Sequence, residues 1–208
     1  MVKRLAIYLV GMVLVSLGIV LCAKCNLGIS PISSVPFVLD ELLPLSFGQL
    51  TMLFHLLNTG IQLALLGKLR DVKTLLQVPV ALLFSVIIDF FKAVVVFDNS
   101  FLPFQLLSLA LSVLFTAFGM VCMIRMALVQ NPPDGTVRLI SARTGLEFGK
   151  TKILYDIANV VLSVSVGLIF LGKPYGFGVA TVVSAVLVGR TVSWLNRHLP
   201  AFPKPYTR

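Results

Sequence analysis

Two pairs of polar residues stand at matching places in otherwise apolar stretches: His55 with Asn58, and Asp156 with Asn159. Members of each pair are three residues apart, so on a helix they share one face. Histidine and aspartate exchange protons, and an asparagine amide both donates and accepts hydrogen bonds. Such a face can hold a small polar or anionic solute, or pass a proton. Asp89 and Arg190 form a third matched set, of opposite charge, suited to an ion pair or a gate. Ionisable side chains inside apolar spans are costly and are functional candidates by default. The same residues also have a structural use, because Asn and His between helices hydrogen-bond across, at roughly 0.6–2 kcal/mol each. The sequence leaves both readings open.

Other chemistry finds little footing. Cys22 and Cys25 form a C-x-x-C, and with Cys122 they are the three cysteines of the chain. Three are too few for a disulfide scaffold, and the pair reads as plain thiols filling space rather than a redox or metal site. There is no P-loop, H-E-x-x-H or G-x-S-x-G, and His198 is the second of only two histidines. The chain is therefore expected not to be an enzyme, and to use no cofactor and no metal.

The elements that position these residues follow from composition. Of 208 residues 58% are hydrophobic and 12% charged, and mean hydropathy is +1.00. A soluble domain carries about 25% charged residues. The apolar residues gather at roughly 5–23, 49–67, 76–96, 102–124, 153–171 and 177–195. A bilayer-crossing helix needs ~20 such residues, and no block alternates with period two as a barrel strand would. The fold class is all-α, a polytopic transmembrane bundle of about six spans. The last block holds Gly178 and Gly189, and a five-span version would omit it.

A net charge of +9 could suggest nucleic acid, but its placement argues for topology. Lys3 and Arg4 precede block one; Lys68, Arg70 and Lys73 follow block two; Arg125, Arg138, Arg143, Lys150 and Lys152 follow block four; Arg190, Arg197, Lys204 and Arg208 end the chain. Only Lys24, Lys92 and Lys173 fall on the alternate loops. By the positive-inside rule both termini are cytoplasmic and the number of spans is even. Block one lacks an A-x-A-like cleavage site and is expected to remain as the first span of a multi-pass bacterial inner-membrane protein. Its partners would be the lipid bilayer and a small-molecule or ion substrate, with room for a homodimer and no nucleic acid.

The chain also repeats itself. A shift of 101 residues sets Gly18 on Gly119, Pro31 on Pro132, Phe47-Gly48 on Phe148-Gly149, and Asn58 on Asn159. His55 then matches Asp156, and Asp89 matches Arg190. One membrane domain, 1–208, divides into a repeat at about 5–100, a second at about 102–197 and a cytoplasmic tail at 198–208. Three spans per repeat is an odd number, so the second must be inverted, as in many secondary transporters. The linker after span one is poor in basic residues and carries Asp40 and Glu41; its counterpart has five basic residues, as inversion requires.

Both linkers follow one plan. Ser30-Pro31 and Asn131-Pro132 are helix-start signals, with the polar side chain capping a free amide and proline at the first helical position. Short helices are expected at about 31–43 and 132–143. Gly28 precedes the first, and Gly48 and Gly149 are expected in tight turns into spans two and five. Each short helix either lies on the membrane surface, which Arg138 and Arg143 favour for the second, or re-enters the membrane. In the latter case Ser30 and Asn131 join His55, Asn58, Asp156 and Asn159 as candidate substrate ligands.

At these residues the chain resembles the bacterial YitT/YczE-type membrane proteins, specifically their short, YczE-like branch. The likeness rests on G-x-x-L-x-x-x-x-x-L-G-x-x-P ending at Leu27-Gly28 and Pro31, on Phe47-Gly48, Asn58, Pro132-Pro133-Asp134-Gly135 and Gly176-x-Gly178. The resemblance implies an inner-membrane protein, sometimes classed as a transporter, and brings no catalytic or binding residues. The function expected is a small transporter or permease for a polar or anionic solute, with its site between the repeats. The alternatives are the substrate-binding subunit of an energy-coupling-factor type importer, and an accessory protein that transports nothing.

Overall fold

A computed structural model of the chain describes residues 2–67, 71–96 and 100–199. Lys68, Arg70, Lys204 and Arg208, and the tail beyond Leu199, lie outside the described residues. Helix α1 spans Val2–Lys24. A 3-10 turn at Pro31–Ser33 leads into the short α2, Ser34–Asp40. Then come α3 (Phe47–Leu66), α4 (Val72–Leu75), α5 (Gln77–Val94), α6 (Leu102–Met126), α7 (Pro132–Thr144), α8 (Phe148–Leu171) and α9 (Val179–His198). No strand occurs among the described residues.

Six of these helices are long and apolar enough to cross a bilayer: α1, α3, the α4–α5 stretch Val72–Val94, α6, α8 and α9. At 1.5 Å per residue the shortest, of 20 residues, extends ~30 Å, the thickness of a hydrocarbon core. The chain is thus a multi-pass membrane protein. The sixth block, the doubtful one by sequence, forms a full-length helix.

The chain forms two compact units. Of the described residues, one comprises those within 2–30, 87–128 and 176–199, and the other those within 31–86 and 129–175.

In the first unit α1 and α6 run antiparallel in close contact. Glycine allows this twice. A Cβ at Gly119 would stand 2.8 Å from the Val15 nitrogen, and one at Gly18 would stand 2.8 Å from the Ser112 carbonyl oxygen. On the other side of α6, Ala117 and Val121 pack on Leu195 of α9, flanked by Phe118 and Val192. Cationic side chains tie the helix ends, where unpaired carbonyls collect. Arg4 donates to the Met126 and Ala127 carbonyls, and the Arg125 guanidinium to the Asn196 side chain (2.8 and 3.1 Å) and the Leu199 carbonyl (2.6 Å).

After α1 the chain crosses the entry to α9. The Ala180 amide donates to Leu27 and the Ile29 amide to Gly176, at 2.8 and 2.9 Å. Gly28, at φ +100°, sits between these bonds so close that a Cβ would fall 2.6 Å from the Gly178 nitrogen. Only glycine meets both demands. Cys22 and Cys25 are buried free thiols; Cys25 Sγ donates to the Cys22 carbonyl at 3.0 Å.

In the second unit the two linkers pack beside long helices. Ser163 of α8 donates to the Ser34 carbonyl at 2.9 Å, and Phe37 of α2 contacts the rings of Phe47 and Tyr175. The first turn of α7 lies against the middle of α3, where Thr136 donates to the Asn58 carbonyl at 3.2 Å. Its last turn reaches the end of α3, where Arg143 bonds the Leu65 carbonyl. Each linker helix thus begins beside the interior of a long helix, Ser163 in α8 and Asn58 in α3, instead of lying across the helix ends. Pro132, Pro133, Gly135, Thr136 and Val137 are buried accordingly.

Three local expectations need correction. The first linker helix ends at Asp40, three residues short. Asn131 holds the N-cap position of α7 but makes no capping bond; its amide donates to the Asp134 carboxylate at 3.3 Å. The next two residues are Pro132 and Pro133, which have no N–H to cap. Gly48 and Gly149 lie inside the first turns of α3 and α8, after N-caps Ser46 and Glu147. Ser46 explains the difference for α3: it accepts from the Gln49 amide while Gln49 accepts from Ser46, a reciprocal capping box that starts the helix earlier.

Candidate functional site

The second unit holds a buried polar seam made by α3, α7, α8 and the start of α5. Along α3, Thr51, His55, Asn58, Thr59 and Gln62 are all buried. They recur at three- and four-residue intervals, so one face of an otherwise apolar helix is polar. A side chain at such a position in lipid would be unpartnered, and burial against other helices supplies its hydrogen bonds.

Most of these bonds are made within the seam. Tyr155 of α8 donates its hydroxyl to Asn58 Oδ1 at 2.7 Å, and Asn58 Nδ2 donates to the Phe54 carbonyl of its own helix at 2.9 Å. Asn159 does the same in α8, donating to the Tyr155 carbonyl at 2.8 Å. Gln62 and Gln77 exchange amide bonds at 2.9 and 3.0 Å, and Gln62 also donates to the Pro132 carbonyl at 2.9 Å. Thr59 adds a bond to Gln77 at 3.2 Å. A Cβ on Gly135 would strike the Gln62 amide, so the glycine leaves room for that side chain beside α7.

Two members differ from the rest. His55 is 6% exposed and stacks on Phe84 with ring centroids 5.4 Å apart. Its Nδ1 is the one buried side-chain nitrogen or oxygen without a hydrogen-bond partner among the described residues. Asp156 is half-buried and paired with Lys152 one turn earlier, at 2.6 Å. Asp134 stands in the first turn of α7, close enough for its charge to act on Tyr155 and Asp156.

The sequence candidates therefore divide. His55, Asn58, Asn131, Asp156 and Asn159 all belong to the second unit, with the Asn58–Tyr155 bond linking α3 to α8. Ser30, Asp89 and Arg190 belong to the first. There Asp89 is half-buried on α5, and Arg190 is exposed on α9 at the mouth of an open groove. Tyr155, Thr59, Gln62, Gln77 and Thr136 were not singled out from sequence. Gln62 had a signal, lying one turn after Asn58 on the same face; Tyr155 had one too, matching Phe54 at the repeat offset and preceding Asp156.

At the far end of α8, beyond the span, Tyr175 bonds the Glu41 carboxylate. Burial, and then that bond, hold its hydroxyl well above the ordinary tyrosine range, so it stays protonated. No group of three His, Cys, Asp or Glu able to hold a metal ion occurs among the described residues.

Over residues 2–197 the chain matches the family described as "Family of unknown function (DUF6198)", and it belongs to that family. No curated protein and no solved structure matches it.

Proposed function

We propose that this DUF6198 member is a small transporter, moving a small polar solute through the seam between α3, α7 and α8. The observation that carries the reading is the seam itself: a buried row of amides, hydroxyls and a histidine halfway along two apolar helices. The start of α7 is brought to the same depth. Transporters place solute sites near the bilayer midplane, where broken helices meet continuous ones. Most of these side chains bond one another or a backbone carbonyl, and a solute would take the place of some of those bonds.

The inverted repeat is part of the proposal and has support beyond sequence. In the first unit the matched helices α1 and α6 run antiparallel, and in the second Tyr155 of α8 bonds Asn58 of α3. The two glycine contacts of α1 with α6 are related by the 101-residue offset: Gly18 on Ser112 and Thr116 answers Gly119 on Gly11 and Val15. Asn58 and Asn159 make the same bond to the carbonyl four residues back. Asn26 and Ala127, also 101 apart, are the two non-glycine residues with positive φ among those described.

The solute class is narrowed by charge. Asp134 occupies the first turn of α7 and offsets the positive end of that helix. Asp156 is the neighbouring acid and Lys152 its partner. A neutral polar or weakly basic solute suits this end better than an anion. Cytoplasmic termini complete the proposal, on the placement of Lys3, Arg4, Arg125, Arg138 and Arg143 along the sequence.

The test is flux of a panel of small polar solutes into proteoliposomes. Asn58→Ala and Asn159→Ala should each slow the transported solute at least about tenfold, the effect of ~1.4 kcal/mol on a binding step. If no solute moves, or both variants match the wild type, the seam is not a transport site.

A further inference from the structure

The first unit contains a groove of about 640 Å³ between α1, α6 and α9. Its walls are Leu14, Leu114, Phe115, Phe118, Trp194 and Leu195; Arg190 and Thr191 are its polar residues. We propose that this groove binds one anionic phospholipid, its phosphate held by Arg190 and Thr191 and an acyl chain laid along Leu114, Phe115 and Phe118.

Depth and charge carry the inference. Arg190 lies eight residues before the end of α9 at His198, which places its Cα ~12 Å inside that end. The guanidinium is exposed there, on a stretch of α9 whose exposed residues also include Val186, Leu187, Gly189, Ser193 and Trp194. An arginine at this depth needs an anion or must reach back to the headgroups. Among the described residues no acidic side chain lines the groove. The remaining source of anions in a bilayer is the lipid phosphate, and basic pockets between helices on the cytoplasmic side are where such headgroups bind. Trp194, one turn further out on the same face, stacks on His198 at 4.7 Å and presents its ring at the level where indoles favour the interface. A groove of this volume falls within the range of small-molecule sites. The inference stands apart from the transport reading, which concerns the second unit.

The experiment uses the full chain in nanodiscs of equal phosphatidylglycerol and phosphatidylcholine, each in turn carrying a photoactivatable group on its acyl chain. Cross-linked peptides are mapped by mass spectrometry. Labelling should concentrate on 114–118 and 190–195, and phosphatidylglycerol should label about fivefold more than phosphatidylcholine, the factor for one cation near an anionic surface. Arg190→Gln should bring the two lipids to parity, and Arg190→Lys should keep most of the preference. Leu114→Trp, which fills the groove, should reduce labelling by both. Arg190 is exposed, so its variants should elute as the wild type does. Equal labelling by the two lipids, or labelling spread evenly over all six helices, overturns the proposal. So does a second copy of the chain cross-linked into the groove, or displacement of the lipid by free glycerol phosphate.

Discussion

The bond between Tyr155 and Asn58 joins α8 to α3 in the middle of the seam, and its strength can be estimated from its surroundings. Tyr155→Phe removes one oxygen and leaves Asn58 Oδ1, on a residue 1% exposed, without that donor. A buried acceptor left unpaired costs about 1–3 kcal/mol, whereas hydrogen bonds between membrane helices average only about 0.6 and reach about 1.7 kcal/mol. A loss of about 1 kcal/mol is expected for Tyr155→Phe. Asn58→Ala should cost more, because it also opens a cavity at a site packed by Thr136 and Gln62. With both changes present neither partner is orphaned, so the double variant should fall short of the sum by about 0.6–1.7 kcal/mol. The measurement is reversible unfolding in mixed micelles, read by tryptophan fluorescence of Trp194 and by circular dichroism. A coupling energy within about 0.3 kcal/mol of zero would refute the cross-helix bond.

Two further outcomes follow from the packing of the first unit and the exposed face of α3. Gly18→Ala and Gly60→Ala are the same chemical change with opposite expected signs. The first sets a methyl 2.8 Å from a carbonyl oxygen and should destabilise by about 1–3 kcal/mol; the second meets nothing within 4 Å and should stabilise by about 0.5–1 kcal/mol through helix propensity. Thermal unfolding in detergent would show the difference in sign. Arg125→Ala should free the end of α9, seen as faster amide hydrogen exchange over residues 192–199 and about 1.5–3 kcal/mol lost. Arg125→Lys should restore little, since one ammonium cannot reproduce the forked contacts to Asn196 and Leu199.

Much of this molecule is legible in its sequence because lipid allows so few solutions. A backbone crossing hydrocarbon must satisfy itself, so apolar blocks become helices, and observed ends fall within a few residues of the blocks. Pro31 and Pro132 mark the linker helices for an equally local reason. The depth of those linkers was not legible. It depends on Gly135 meeting Gln62 and on Ser34 meeting Ser163, pairings between distant segments that no local period encodes. The candidate pair His55 and Asn58 was found by composition, as polar letters in an apolar block, and their different situations were not. Both polar atoms of the Asn58 side chain have partners while His55 keeps one nitrogen unpartnered, because Phe84 covers its ring and offers no polar atom. Gly48 and Gly149 misled because a glycine near a helix start resembles a turn, whereas Ser46 and Gln49 had already begun the helix.

The bond from Ser163 to the Ser34 carbonyl has a consequence for the order of events at the ribosome. Its two ends are 129 residues apart, and at 5–20 residues per second the first waits roughly 6–26 seconds for the second to be made. During that interval the first linker has neither α8 beside it nor Tyr175 over Phe37. The first linker is therefore made well before the residues it packs against. Nascent chains stopped before α8 should hold residues 31–40 unprotected, in a holding state that the insertion machinery or the lipid surface must shelter.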